Sequence, residues 1–306
     1  MRIDDIASGG GEPVFSFEFF PPKTEEGERN LFGALEALRD LDPSFVSVTW
    51  GAGGSTRAKT IEIVTRIHAD HGLEAMAHFT CVGATVAELR SALDQMRDAG
   101  IDNVLALRGD PPAGEAQFVA TEGGLAHGSE LAELVAAEYE FCIVGACYPE
   151  THPEAPDAET DLRNLELKVK AGASVLITQL FFDNAAYFDF VQRARAIGIA
   201  TPIIPGIMPV TNFEQIKRFT SMCGATIPPD LHAQLELCAD QPEAVAELGV
   251  AYATVQCAEL LARGAPGIHF YTLNRSPSTR AILSALRLSR PWEAQRAMPA
   301  VGSVDD

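Results

Sequence analysis

One acidic residue, Glu18, lies in an apolar segment that has the pattern of a buried strand. Alternation over Val14–Phe20 predicts the strand, and Pro21-Pro22 ends it because proline has no N–H to donate to a neighbouring strand. Burial raises the pKa of a carboxyl group that lacks a partner, and such a group can donate a proton near neutral pH. Glu18 is therefore either a general acid or half of a structural ion pair with a buried arginine.

Other β-rich segments of the chain also end in polar residues that can bind or react. The set comprises Thr49, His78, Thr80, Arg108, Asp110, Tyr148, His152, Gln179, Tyr271, Asn274 and Arg275. A single member, such as His78, is more readily explained as a core residue with satisfied hydrogen bonds. The recurrence at the same end of successive segments instead favours a site for a substrate or cofactor.

Short β-rich segments alternate with longer helical segments along nearly the whole chain, which predicts a parallel sheet covered by helices. Right-handed connections close eight such units into a (β/α)8 TIM barrel, an α/β fold whose active site lies at the carboxyl ends of the strands. The strand candidates are Val14–Phe20, Phe45–Trp50, Glu74–Cys81, Asn103–Arg108, Phe141–Tyr148, Val175–Phe182, Ile203–Ile207 and Ile268–Leu273.

The connection before the last strand is longer than the others. It contains three helical candidates, Asn212–Met222, Pro229–Ala239 and Glu243–Arg263. We therefore expect a single barrel domain over residues 13–290 with extra helices between strands seven and eight, a flexible N-terminal tail over residues 1–12 and a C-terminal tail over residues 291–306.

Composition excludes several classes of protein. A formal net charge of -19, without a Lys/Arg cluster, disfavours binding to nucleic acid. The six cysteines form no CxxC pair, which predicts free thiols in a reducing cytoplasm. The amino terminus lacks the pattern of a signal peptide, and we find no apolar run that approaches membrane-spanning length. We expect a cytoplasmic protein that binds neither nucleic acid nor membrane.

The segment Tyr148–Glu154 supports two interpretations. His152 and Glu154 could be metal ligands, with His78 and Asp110 from other strands completing the site. The competing interpretation is an organic cofactor held by scattered hydrogen-bond donors, with the tyrosine and the imidazole against its rings. Two prolines make this segment an extended loop, which disfavours the helical spacing of common metal motifs.

Four separated segments resemble one family, the bacterial methylenetetrahydrofolate reductases: Phe17–Pro22, Ala106–Pro111, Tyr148–Pro153 and Thr178–Asp183. Two further segments, Pro205–Val210 and His269–Arg275, extend the resemblance to roughly residues 14–288. It implies an eight-stranded α/β barrel that carries FAD, in agreement with the architecture predicted from periodicity.

The resemblance also implies a ping-pong reaction in one-carbon metabolism and methionine biosynthesis. NADH or NADPH reduces the flavin at N5 and leaves, and 5,10-methylenetetrahydrofolate then accepts the hydride to become 5-methyltetrahydrofolate. By this resemblance Glu18 protonates the folate N10, because an amine leaves carbon more easily when protonated. Asp110 matches the aspartate whose negative charge favours the cationic iminium. A homo-oligomer is also expected.

Further site residues follow from the same resemblance. The catalytic residues would be Glu18 and Asp110, with no metal. The cofactor-binding residues would be Thr49, Trp50, Ala52, His78, Arg108, Gly109, Asp110, Tyr148, His152, Ala155, Asp161, Asn164 and Lys168. The substrate-binding residues would be Glu18, Asp110, Gln179, Gln215, Phe219, Tyr271 and Arg275.

Some positions depart from the family pattern. Trp50 replaces a tyrosine, His127 falls near a tyrosine that contacts the cofactor, and Leu167 replaces a basic residue, so FAD affinity would differ. The loop over residues 111–128 is longer and richer in glycine than expected. Because the chain ends soon after the barrel, we expect no inhibition by S-adenosylmethionine.

Three alternatives to this reductase remain. The same enzyme could work in the direction that oxidises methyltetrahydrofolate, which sequence does not distinguish. A metal-dependent lyase or hydrolase on the same barrel would use His78, Asp110, His152 and Glu154. A folate- or flavin-binding protein without turnover would have no need of a buried acid at position 18.

Overall fold

The predicted barrel is confirmed. The computed structural model describes residues 1–9, 11–51, 56–111, 114 and 118–296. Within these residues nine strands form one sheet in which every neighbouring pair is parallel, in the order β7-β6-β5-β4-β3-β2-β1-β9-β8. The strands are β1 Val14–Phe19, β2 Phe45–Val48, β3 Ala75–Thr80, β4 Asn103–Leu107, β5 Cys142–Cys147, β6 Val175–Thr178, β7 Ile203–Ile204, β8 Gly206–Ile207 and β9 Gly267–Tyr271.

The seventh predicted strand, Ile203–Ile207, is divided at Pro205, which has no N–H for a strand ladder. Its first half pairs with β6 and its second half with β9, so this one segment connects the two edges of the sheet. Gly206 permits the close approach: a Cβ there would lie 2.3 Å from the Thr178 carbonyl oxygen, a distance that no larger residue tolerates. The segment thus nearly closes the barrel.

Helices alternate with the strands and cover the barrel. They are α1 Ile3–Ser8, α2 Glu25–Arg39, α3 Arg57–His71, α4 Val86–Asp98, α5 Gly128–Glu138, α6 Ala158–Lys170, α7 Asn184–Ala196, α8 Phe213–Cys223, α9 Pro229–Leu237, α10 Pro242–Ala262, α11 Pro277–Ser289 and α12 Glu293–Arg296. Helices α8, α9 and α10 confirm the three candidates before the last strand. Side-chain caps fix the first residues of several helices. At the start of α6, the Asp157 side chain accepts a hydrogen bond from the Thr160 N–H at 2.7 Å.

The two faces of β1 pack in different ways. Phe15, Phe17 and Phe19 are buried in the large cluster that the helices form around the barrel. Val14 belongs to a second cluster inside the barrel, with Phe45, Met76 and Leu105 among others. Because side chains alternate along a strand, Ser16 and Glu18 share the inner face with Val14. The barrel interior is therefore apolar at its amino-terminal end and polar toward its carboxyl-terminal end.

The prediction of a flexible tail over residues 1–12 is wrong for the amino-terminal residues. Ile3 of α1 is 0 % exposed and belongs to the interior cluster of the barrel. Its N–H donates to the Asn103 side-chain oxygen at 2.8 Å. The terminal ammonium of Met1 lies 2.8 Å from Glu74 and 2.9 Å from Asp102. The segment thus closes the amino-terminal end of the barrel, because burial of Ile3 completes the apolar interior.

The predicted C-terminal tail over 291–306 is likewise wrong at its start. Trp292 is buried and contacts Phe15 edge-to-face, with ring centroids 5.8 Å apart. Residues 293–296 continue as α12. Residues 297–306 lie outside the described part of the chain.

The expectation that no apolar run reaches membrane-spanning length is also wrong. Helix α10 has 21 residues and, by length and composition only, could cross a membrane. In the fold it packs between α7 and α11 on the outside of the barrel and buries Ala253, Cys257 and Leu260, among others. Its apolar character is that of a core helix with one face against the barrel.

Candidate active site

Glu18 lies between two histidines near the carboxyl end of β1. The side chain is 5 % exposed. One carboxylate oxygen, Oε2, lies 3.4 Å from His269 Nε2 in hydrogen-bond geometry and 3.2 Å from His78 Nε2, where the geometry of a hydrogen bond is not met. On its other side, His269 Nδ1 lies 2.8 Å from Ser16 Oγ. Ser16, His269 and Glu18 thus form a continuous buried chain of polar contacts.

Strand register builds this arrangement. Ser16 and Glu18 are two residues apart on β1 and face the barrel interior, and Ser16 is directly paired with His269 on β9. His78 reaches the same carboxylate from β3, with β2 between them in the sheet. The Glu18 backbone is fixed as well, because its carbonyl accepts a hydrogen bond from the Thr272 hydroxyl at 2.5 Å.

The pKa of Glu18 is shifted in the direction opposite to the one expected from the sequence. Burial alone would raise it, but the charge of His78 close to the carboxylate and the hydrogen bond to His269 outweigh burial and lower the pKa of Glu18 from 4.5 to about 2. The partner is also not the buried arginine that we considered. Glu18 is therefore ionised at neutral pH, held in that state by two imidazoles.

Tyr148 and His152 follow β5 and contact each other edge-to-face, with ring centroids 4.6 Å apart. Asp110 is exposed after β4. Burial, and next the negative charge of Asp110, raise the pKa of Tyr148 to about 12, so its hydroxyl stays a hydrogen-bond donor at neutral pH. The imidazole Nδ1 of His152 accepts a hydrogen bond from the Glu154 N–H at 3.1 Å.

Two cations lie on the same side of the barrel. The Arg108 guanidinium makes two hydrogen bonds to the Glu154 carboxylate, at 2.5 and 2.8 Å, and lies 5.0 Å from the Phe118 ring centroid. Lys168 of α6 donates to the Ala146 carbonyl at 2.5 Å, and burial lowers its pKa. A donor set of this kind suits an anionic group such as a diphosphate.

Three of the predicted cofactor-binding residues, Asp161, Asn164 and Lys168, lie on α6. Asp161 and Lys168 are half-buried, whereas Asn164 is exposed. The Asp161 carboxylate accepts a hydrogen bond from the His152 N–H at 2.9 Å, which fixes the loop after β5 to α6. Ala155 completes that loop with a hydrogen bond from its N–H to the His152 carbonyl at 2.9 Å.

The ends of β2 and β3 carry polar atoms that the described residues leave without a partner. Trp50 is 8 % exposed and packs edge-to-face on Phe79 at 5.3 Å, and its indole N–H has no hydrogen-bond partner among the described residues. The Thr80 hydroxyl also has no hydrogen-bond partner among the described residues. Thr49 precedes Trp50, and the backbone carbonyl of Thr49 accepts a hydrogen bond from the Thr60 hydroxyl at 2.8 Å. Ala52 lies outside the described residues.

Gly109 supports the turn between Arg108 and Asp110. Its φ is +90°, and a Cβ there would lie 2.5 Å from Val82 Cγ1. Only glycine therefore lets the chain turn this closely over the end of β3.

The remaining predicted substrate residues lie at or after the ends of β6, β8 and β9. The Tyr271 hydroxyl donates to the Thr178 carbonyl at 2.7 Å, and the Gln179 side-chain oxygen accepts from the Leu180 N–H at 2.8 Å. Gln215 and Phe219 of α8 line a cleft with residues such as Met208 and Leu273. Gln215 and Arg275 are exposed. Asn274 instead has a structural role, since its amide pairs with the backbone N–H and carbonyl of Phe20.

The structure thus brings the described residues of the predicted site to one end of the barrel. Sequence reasoning missed His269 as a partner of Glu18, and Ser16 as the partner of His269. A signal was present: a serine two residues before Glu18, and a histidine two residues before Tyr271, are polar residues in the inward register of apolar strands.

The four residues of the metal-site hypothesis do not gather. His78 contacts Glu18, and Glu154 is paired with Arg108. Across the described parts of the chain, no three His, Cys, Asp or Glu side chains are grouped so that they could hold an ion. The metal-dependent alternative therefore lacks a ligand set among these residues.

Comparison with known proteins gives the same family as the sequence motifs. The family model described as methylenetetrahydrofolate reductase matches residues 2–287. The chain is 40 % identical over 281 residues to the 5,10-methylenetetrahydrofolate reductase of Escherichia coli (strain K12), covering 92 % of this chain and 93 % of that protein. It is 42 % identical over 304 residues to methylenetetrahydrofolate reductase (NADH) 1 of Zea mays, covering 96 % of this chain.

The chain spans 51 % of the length of that Zea mays relative. Among solved structures, an uncharacterized protein from Clostridium thermocellum that binds two copies of 5-methyl-5,6,7,8-tetrahydrofolic acid superposes with a TM-score of 0.63 at 18 % identity, over 95 % of this chain and 99 % of that one. This likeness supports the fold. From the family model and the identity to the bacterial enzyme, the chain belongs to the methylenetetrahydrofolate reductase family.

Proposed function

We propose that this protein is a flavin-dependent oxidoreductase that reduces 5,10-methylenetetrahydrofolate to 5-methyltetrahydrofolate with NADH or NADPH. The observation that carries the proposal is the buried carboxylate of Glu18, flanked by two imidazoles, in a family-matched chain at the catalytic end of a barrel. A protein that only binds folate or flavin has no need of such an acid.

The residues present fit FAD. Arg108 and Lys168 supply positive charge for a diphosphate, and Tyr148 and His152 supply ring surfaces. The Trp50 N–H and the Thr80 hydroxyl, without partners among the described residues, are donors that a polar cofactor would satisfy. Bound FAD would accept hydride from the nicotinamide and deliver it to the folate methylene carbon.

The remaining chemistry belongs to the chain. Glu18 would pass a proton to the folate N10, so that the methylene bridge opens to an iminium. Asp110, exposed at the rim, would favour that cation by its negative charge. The pterin and the rest of the folate would be held by residues at or after the ends of β6, β8 and β9, namely Gln179, Gln215, Phe219, Tyr271 and Arg275.

A product assay tests the proposal. The purified protein, supplied with FAD, should convert 5,10-methylenetetrahydrofolate to 5-methyltetrahydrofolate with oxidation of NADH or NADPH. Omitting FAD from protein stripped of cofactor should abolish the conversion. A protein that retains FAD, oxidises NAD(P)H only with oxygen and forms no methyltetrahydrofolate would contradict the proposed substrate.

Two further expectations accompany this function. We expect a cytoplasmic homo-oligomer, and the described cysteines, Cys81, Cys142, Cys147, Cys223, Cys238 and Cys257, are all free thiols, as a reducing compartment allows. Mass measurement of the native protein by light scattering tests the oligomer, and a monomer at micromolar concentration would contradict it.

A further inference from the structure

Helix α10 carries three polar side chains on one side of a mostly apolar helix. Tyr252, Gln256 and Glu259 follow one another at spacings of four and three residues, which places them on the same face. Gln256 is 5 % exposed, and a buried amide of this kind normally has a hydrogen-bond partner. Packing against the barrel requires no polar group here, so the partners of these side chains define their role.

Two of these side chains bind one short segment, residues 179–183, which connects β6 to α7. The Gln256 amide donates a hydrogen bond to the Phe181 carbonyl at 3.0 Å, and the Tyr252 hydroxyl donates to the Phe182 carbonyl at 2.6 Å. A buried carbonyl outside helices and strands needs such a donor, because it has no partner in regular structure. Helix α10 thus holds two consecutive carbonyls of this connecting segment.

A further contact fixes α10 to the first residue of α7. The Asn184 amide nitrogen donates to the Gln256 backbone carbonyl at 3.1 Å and to the Glu259 carboxylate at 2.9 Å. Asn184 is 8 % exposed, so these hydrogen bonds are shielded from water. Gln256 therefore donates to the connecting segment through its side chain and accepts from the residue after that segment through its backbone.

The other end of the connecting segment is fixed to the barrel. The Gln179 N–H donates to the Cys147 carbonyl at 2.7 Å, and the Thr178 carbonyl accepts from the Tyr271 hydroxyl at 2.7 Å. Gln179, which the family resemblance assigns to substrate binding, thus stands in the chain between these bonds and the bonds from α10. Its position depends on both.

The connecting segment also packs beside the cleft at the end of the barrel. Leu180 and Phe182 are buried in the same apolar cluster as Met208, and Tyr252 packs against that cluster. Met208 in turn lines the cleft together with Gln215. A shift of the segment would therefore move one wall of the cleft in which the folate is expected to bind.

We propose that Tyr252 and Gln256 are positioning residues that set the affinity of the site for its folate substrate, because they fix the segment that carries Gln179. The inference rests on the proposed function. Neither side chain touches the substrate in this scheme, and each acts through a backbone carbonyl of the segment. The two hydrogen bonds from Tyr252 and Gln256 to these carbonyls are called the α10 clamp below.

Tyr252→Phe removes one hydroxyl of the clamp and keeps the ring. Reoxidation of the reduced flavin, followed at several concentrations of 5,10-methylenetetrahydrofolate, gives the apparent Kd and the limiting rate separately. We expect the apparent Kd to rise about 3- to 10-fold, as for loss of one hydrogen bond, and the limiting rate to change less than about twofold. Gln256→Leu should raise the apparent Kd at least as much. An unchanged apparent Kd in both variants would overturn the proposal.

Tyr187→Phe is the matched control. The Tyr187 hydroxyl also donates to a buried backbone carbonyl, that of Ile203 at 2.8 Å, but Ile203 begins β7 and so lies at the amino-terminal end of the barrel. Tyr252→Phe and Tyr187→Phe should lower the thermal unfolding midpoint by similar amounts, whereas only Tyr252→Phe should raise the apparent Kd. The same apparent Kd in the two variants would leave Tyr252 with a structural role alone and overturn the proposal.

A double-mutant cycle tests whether Tyr252 acts through Gln179. Gln179→Ala alone should raise the apparent Kd for the folate. Adding Tyr252→Phe to Gln179→Ala should then change the apparent Kd by less than about 1.5-fold, because the clamp has no side chain left to position. Effects of the two substitutions that simply multiply would overturn the proposal.

Hydrogen exchange of backbone amides gives a readout without turnover. The clamp should protect the amides of Gln179 and Leu180, and Tyr252→Phe should speed their exchange about tenfold relative to Tyr187→Phe. Equal exchange in the two variants would overturn the clamp. A wild-type protein whose reduced flavin is not reoxidised by the folate would instead contradict the proposed function, whatever the exchange rates show.

Discussion

The two ends of the barrel interior are built from the same strands and have opposite character. At the amino-terminal end, Val14, Phe45 and Met76 pack with Ile3 into an apolar cluster. At the carboxyl-terminal end, the same alternation places Glu18 and His78 together. Inward-facing residues near the start of each strand are apolar and stabilise the fold. Inward-facing residues near the end of the same strands are polar and can take part in chemistry.

The middle of the barrel interior shows how the lining changes from apolar to polar. Along β1 the inward residues are Val14, Ser16 and Glu18, and along β9 they include His269 and Tyr271. Ser16 and His269 satisfy each other, so polarity increases toward the site without leaving these atoms unpaired. Buried polar groups are tolerated here because they belong to a connected chain.

The largest effect is expected at the polar end. Glu18→Gln should slow the folate half-reaction by about two to four orders of magnitude while reduction of the flavin by NAD(P)H stays nearly intact, the range usual for general acid catalysis. Rapid-mixing absorbance measurements of each half-reaction test this. Glu25→Gln, an exposed residue at the start of α2, is the control and should change neither. Equal losses in both half-reactions would remove Glu18 from its proposed role.

The same residue should link stability to acid. The folded pKa of Glu18, about 2, lies below its ordinary value of 4.5, so its stabilising contribution is present above 4.5 and is lost as pH falls toward 2. Between pH 6 and pH 3 the wild-type protein should lose about 2 kcal/mol more unfolding free energy than Glu18→Gln. Denaturant unfolding at both pH values tests this, and parallel losses would show that Glu18 is not held ionised.

At the apolar end a substitution should affect stability and leave catalysis unchanged. Ile3→Ala removes a fully buried side chain and should lower the unfolding free energy by about 2 kcal/mol, at the low end for such changes because α1 is short. Ile197→Ala, at an exposed position after α7, is the matched control and should cost under about 1 kcal/mol. A change in kcat at Ile3 without loss of stability would contradict the division between the two ends.

A smaller effect is expected from charge at the rim. Asp110→Asn should raise the flavin reduction potential, because a nearby negative charge disfavours anionic reduced flavin, and should alter both half-reactions by about tenfold. Potentiometric titration measures the first effect. Asp98→Asn, the same change at the amino-terminal side of the barrel, should leave the potential unchanged. An unchanged reduction potential in Asp110→Asn would show that the charge of this residue does not act on the flavin.

The sequence predicted the strands well because each is a short β-rich segment bounded by turn residues. It did not predict that α1 closes the barrel, since six residues of mixed polarity near a terminus carry too little periodic signal. The break at Pro205 was missed because a five-residue apolar segment looks like one strand, and only closure of the sheet makes its halves pair with different neighbours.

The site was predicted in part for a similar reason. Glu18 could be found because a lone acid in an apolar strand is unusual at the level of local sequence. The partners of Glu18 could not be found in this way, because His78 and His269 are distant in sequence and only the closed barrel brings them to one carboxylate. The direction of its pKa shift depended on those partners, which is why burial alone gave the wrong sign.

We propose that the polar end of the barrel transfers hydride from a pyridine nucleotide to a folate through FAD. The visible absorption spectrum of the purified protein, followed anaerobically, tests it most directly. We expect a flavin spectrum that bleaches on addition of NADH or NADPH and recovers on addition of 5,10-methylenetetrahydrofolate. A protein that neither binds added FAD nor oxidises NAD(P)H would contradict it.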